Sequence, residues 1–132
     1  PIIYMGAIWF LSDRPSDAVV QFGPFDSLIK ESLHLVEFGI LYILWVLAAL
    51  TFGPLSARAN RLMVVVSLVY GIVDEAHQYF VPSRSADIID IMKDSIGVCV
   101  AWYIIHRTYF NDRASKIGYL LRAVTNTLAP KK

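Results

Sequence analysis

The chain has 132 residues, 56% hydrophobic and 17% charged, so it is long enough for one domain and is more apolar than a soluble domain of that size. A formal net charge of +1 carries no message in itself, and what matters is where the charges lie. The single cysteine, Cys99, sits in an apolar run and excludes an internal disulfide framework.

Taken in chain order, residues 2–11 form the first apolar run, worth roughly 15 Å of helix. That is either a truncated first span or a short helix entering a membrane partway. No basic segment precedes it, so a cleavable signal peptide is not expected. Three longer runs follow at residues 33–52, 62–80 and 88–106, each close to the ~20 residues that a bilayer requires. Breakers separate them: Pro15, Gly53 with Pro54, and Pro82 with Ser83. The expected fold is therefore all-α, an integral membrane bundle of about four transmembrane helices over residues 1–107. Residues 108–132 form a basic tail in which Lys116, Arg122, Lys131 and Lys132 alternate with Ile117, Tyr119, Leu120, Leu121, Val124 and Leu128. Such a mixture suits a basic amphipathic helix on an anionic membrane surface, and equally a loosely ordered tail.

The charges are sorted by connection. Arg58 and Arg61, between the second and third of the four apolar runs, join Arg107, Arg113, Lys116, Arg122, Lys131 and Lys132 of the tail. This side holds eight of the 12 basic residues and, in Asp112, one of the 11 acids. The excess of Lys and Arg places it in the cytoplasm, with both termini inside and the acid-rich face outward, in the inner membrane of a bacterial cell.

Helical spacing then gathers the ionisable residues. Lys30, His34 and Glu37 fall within about 60° of one another. Ser67, Gly71, Asp74, Glu75 and Gln78 share a face about 100° wide, opposite Leu68, Val69, Ile72, Val73, Ala76, Tyr79 and Phe80. Asp87, Asp90, Asp94, Gly97 and Ala101 form an arc of about 80°. A charge deep in a membrane helix costs about 2.5–3.5 kcal/mol on insertion scales, so these stripes should turn inward and find partners. Six acids face few cations, which calls for protonated or proton-sharing carboxylates. Such groups beside a histidine suit acid–base chemistry. Buried ion pairs that only fix helix register are the plain alternative. His77, at the edge of its arc, reads as a hydrogen-bonded packing residue, and Asp13, Arg14, Asp17 and Asp26 as solvated loop charges. Carboxylates with imidazole would also suit a divalent metal, but no H-x-x-x-H or C-x-x-C pattern exists, so neither a metal nor another cofactor is expected. No nucleophile motif or phosphate-cradling glycine loop is present, and the basic tail alone does not argue for nucleic acid.

At these residues the sequence resembles the VanZ-like family of small bacterial membrane proteins. The resemblance rests on Phe10-Leu11-Ser12, Lys30-x-x-x-His34, Asp74-Glu75-x-x-Gln78 and the stretch from Phe80 through Pro82, Ser83, Arg84, Asp87 and Asp90 to Gly97. This chain departs from the family pattern at Ser83, where a glycine is usual, at Asp94, where an asparagine is usual, and at Ala101. The family is named for a member linked to glycopeptide (teicoplanin) resistance, and the resemblance implies a four-span bundle without supplying a reaction. The expected function is a cell-envelope membrane protein that binds or acts on a lipid-linked or amphiphilic anionic molecule at the outer face. Lys30 and Arg84 would hold the anion, and His34, Asp74 and Glu75 would exchange protons. Gln78 would position the ligand, and Asp87 and Asp90 would partner Arg84. The alternative is a non-catalytic subunit of a larger membrane complex, its partners other membrane chains.

Overall fold

The computed structural model describes residues 1–13, 26–81, 87–112 and 114–130, without the side chains of residues 26–31 and 34. Among the described residues five α-helices follow one another: α1 (Ile2–Ser12), α2 (Asp26–Leu50), α3 (Ala57–Gln78), α4 (Ile88–Ile105) and α5 (Lys116–Leu128). No strand occurs among the described residues. The four apolar runs become α1 to α4, and the tail contributes the ordered helix α5.

Local chemistry sets the boundaries. After α2 the chain turns through Gly53, whose φ of 152° is open to glycine and strained for other residues, and Pro54 then bars a continuing helix. Ser56 caps α3, its Oγ accepting the Ala59 N–H at 3.1 Å. Asp87 caps α4 through its Oδ1, which accepts the Ile89 N–H at 2.9 Å. Beyond Ile105 the helix widens into one π-helical turn, His106–Asn111. Ser115 caps α5 by accepting the Gly118 N–H.

The bundle is built around the crossing of α2 and α4. A Cβ on Gly97 would lie 1.8 Å from the Leu35 carbonyl oxygen, so the two backbones meet where only glycine fits. From this crossing extends an apolar core of Phe38, Leu41, Tyr42, Val46 and Leu50 of α2 with Val98, Ala101 and Ile105 of α4. Ile8 of α1 and Leu121 of α5 complete it.

In α3 the usual order is reversed. Its buried residues are Asn60, Ser67, Gly71, Asp74, Glu75 and Gln78, whereas Leu62, Val65, Val69 and Ile72 stand more than half exposed. The predicted polar stripe faces inward and its apolar counterpart outward. Even so, no helix among the described residues is long and apolar enough to cross a membrane. The three helices with the length all carry charges: Asp26, Lys30, Glu31 and Glu37 in α2, Arg58, Arg61, Asp74 and Glu75 in α3, and Asp90, Lys93 and Asp94 in α4.

A candidate functional site of buried carboxylates

The C-terminal ends of α1 and α3 meet at one end of the bundle, beside the start of α4. Asp74, only 1% exposed, is the centre of this junction. Its Oδ2 accepts two hydrogen bonds of 2.8 Å, one from the Ser12 hydroxyl and one from the Gln78 side-chain amide. Gln78 also reaches the Ser12 Oγ at 3.5 Å, closing a triangle between α1 and α3. Asp74 Oδ1 is buried and meets no hydrogen-bond donor among the described residues. One oxygen of this carboxyl is thus committed to positioning, and the other is open to a proton or a ligand.

Glu75 and Asp94 extend the site. Glu75, 2% exposed, accepts the backbone N–H of Asp87 on its Oε2 at 3.3 Å, tying the end of α3 to the start of α4. Asp94, 3% exposed, lies over Gly71, where a Cβ would meet its Oδ2 at 3.5 Å and Phe38 Cε1 at 3.4 Å. The missing side chain at Gly71 therefore makes room for the Asp94 carboxyl, one turn of α3 away from Asp74. Three carboxyls from two helices are enclosed in this way with one hydroxyl and one amide.

A second contact holds α1 in place. The His77 ring stacks on Trp9 with centroids 3.8 Å apart and 15° between the planes, and its Nε2 lies 3.4 Å from Asp13 Oδ1. Tyr70 adds a hydrogen bond of 2.6 Å from its hydroxyl to the Met5 carbonyl. His77 is thus a packing residue, and the Asp13 carboxylate, 63% exposed, is solvated as expected of a loop charge.

Of the residues expected to form the site, Asp74, Glu75 and Gln78 come together. Asp87 contributes its backbone N–H to Glu75, while its carboxylate caps α4. Asp90 stands apart at the rim, where it pairs with Lys93 at 2.9 Å. The side chains of Lys30 and His34, and Arg84 altogether, lie outside what the structure describes. Sequence reasoning missed Ser12 as the partner of Asp74. Its one signal was a hydroxyl residue closing an apolar run. It placed Asp94 on the polar arc of its helix but gave it no role, because an extra acid reads first as a departure from the pattern. Among the described residues no three of His, Cys, Asp and Glu are grouped so as to hold a metal ion.

An all-helical bundle that buries carboxyls at one end of an apolar assembly is the class these features define. A family model described as VanZ/LLP1 matches residues 2–110, and the chain belongs to this family. The match ends before α5. No curated protein and no solved structure matches the chain.

Proposed function

We propose that the chain is an integral membrane bundle of the cell envelope whose acid-lined end, turned outward, binds or acts on a lipid-linked or amphiphilic anionic molecule. The observation that carries this reading is the inverted helix α3, with Asp74, Glu75 and Gln78 buried and Val65, Val69 and Ile72 exposed. Water would favour the opposite arrangement, whereas a hydrocarbon surround favours apolar residues outside and carboxyls inside. Ile40, Ile96 and Val100, exposed on α2 and α4, extend the same apolar exterior. The charged ends of α3 and α4 are compatible with spanning because they are either buried inward or placed near a bilayer boundary.

In this reading Lys30 and Arg84 hold the anionic group, and His34, Asp74 and Glu75 exchange protons. Asp74 does so through Oδ1, because Ser12 and Gln78 occupy Oδ2. Asp87 and Asp90 lie just beyond Arg84 in the sequence and would steady its loop. The test is growth of cells producing the chain on teicoplanin, with binding of a polyprenyl phosphate read by native mass spectrometry in mild detergent. Asp74→Asn and Arg84→Lys should abolish both readouts, and Asp17→Asn should leave both intact. Equal behaviour of the three variants would overturn the proposal.

A structural subunit of a larger membrane assembly is the second reading, and the placement of α1 favours it. This helix leans chiefly on α3, leaving Ile3 90% and Phe10 58% exposed, an apolar face that a neighbouring chain would cover. Stoichiometric protein partners surviving mild purification, together with wild-type behaviour of Asp74→Asn, would establish it over the first.

A further inference from the structure

Helices α2, α4 and α5 enclose an open groove of about 370 Å³, far from the carboxyl cluster in chemistry because its walls are almost wholly apolar. Val36 and Ile40 form one wall, Val100 and Ile104 the other, and Ile117 with Leu121 closes the end against α5. Gly39 and Gly97 lie on its floor, at the α2–α4 crossing where the two backbones meet. Lined from residue 35 to residue 43 of α2, the trough is about 12 Å long. Such a channel accepts a flexible hydrocarbon chain.

The charge at its closed end selects among amphiphiles. Lys116, exposed, precedes the lining residue Ile117, and Arg107, also exposed, lies on the π-helical turn against which α5 packs. Arg122 is held differently, donating to the Tyr109 carbonyl at 3.1 Å, so it braces α5. The free cations at this end therefore suit an anionic headgroup, with its chain running up the groove. We infer that the groove between α2, α4 and α5 is a binding site for an anionic phospholipid, its acyl chain over Gly39 and Gly97 and its headgroup beside Arg107 and Lys116. The inference rests on the membrane reading above and adds a second ligand, at the opposite end from the acids. It also gives α5, which the family match leaves out, a task in the fold.

The test uses the full chain in mild detergent and compares retention of palmitoyl-oleoyl phosphatidylglycerol with phosphatidylcholine of the same chains by native mass spectrometry. Wild type should retain the anionic lipid preferentially. Arg107→Glu with Lys116→Glu should lower that affinity at least roughly tenfold while leaving phosphatidylcholine unchanged. Val100→Trp, which fills the trough, should abolish retention of both, and Ile40→Leu, which keeps its volume, should abolish neither. Helicity and a monodisperse elution profile show that each variant folds. Equal retention of the two lipids, or retention undiminished in Val100→Trp, would overturn the inference. So would a protein partner displaced by Val100→Trp, which would mark the groove as a helix-docking site. Resistance of the chain to carbonate extraction, measured alongside, separates the two failures. A resistant chain that retains no lipid refutes the groove alone, and an extractable chain refutes the membrane reading with it.

Discussion

The two ends of this bundle are held by opposite means. At the acid end, α1, α3 and α4 meet through buried polar groups, with Ser12 and Gln78 converging on Asp74 and the Asp87 N–H on Glu75. At the basic end, α5 is docked chiefly by packing, with Leu121 in the core, Gly118 so close to the Thr108 carbonyl that a Cβ would come within 2.1 Å, and one side-chain hydrogen bond from Arg122 to the Tyr109 carbonyl. Buried hydrogen-bonded networks specify one geometry and lose heavily when one member goes. An apolar docking is more tolerant, since it asks only for volume and shape. The acid end is thus specified by a polar network, and the basic end mainly by packing volume.

Four substitutions and one control put this contrast to the test. The largest effect belongs to neither end but to the crossing that joins them. Gly97→Ala places a methyl group where 1.8 Å is available to the Leu35 carbonyl, and should cost about 3 kcal/mol or more in thermal unfolding in detergent. Gly6→Ala, with nothing within 4 Å of the new Cβ, is the matched control and should cost nothing, or stabilise by up to about 1 kcal/mol through helix propensity.

Next comes Asp74→Ala, which strands the Ser12 hydroxyl and the Gln78 amide together and should cost about 2 kcal/mol. Hydrogen exchange should rise in α1 first, because this triangle and the Trp9–His77 stack hold that helix. If α5 loosened as much as α1, the two ends would not be independent and the contrast would fail.

Ser115→Ala removes the cap of α5 and should cost about 1 kcal/mol, confined to that helix. Its exchange should quicken while α1 and α3 keep their protection. Lys93→Ala should have the smallest effect, under about 1 kcal/mol, because its partner Asp90 is at the rim and only partly shielded. A loss as large as that of Asp74→Ala would show that Asp90 belongs to the site after all.

Much of this was open to reading in the chain itself. The spacing of Asp74, Gln78, Ser67 and Gly71 put them on one face of a helix, and that face is the buried one. Period determines direction within a helix, so the inversion of α3 needed no knowledge of its neighbours. Asp87 and Asp90 show the limit of the same argument. They share an arc with Asp94, yet the carboxylate of Asp87 caps α4 and Asp90 turns to Lys93, because the first turn of a helix competes for acids.

Local pattern was enough for α1 to α4, the polar face of α3 and the family to which the chain belongs, and it left α5 open between a helix and a loose tail. The tertiary structure decided the pairings across helices. Ser12 with Asp74 and Tyr42 with Asn60, 62 and 18 residues apart, are set by how the helices cross and at what height, as is the seat of Asp94 over Gly71. No periodicity within one helix encodes the register of another, and that register follows from the fit of Gly97 beneath Leu35.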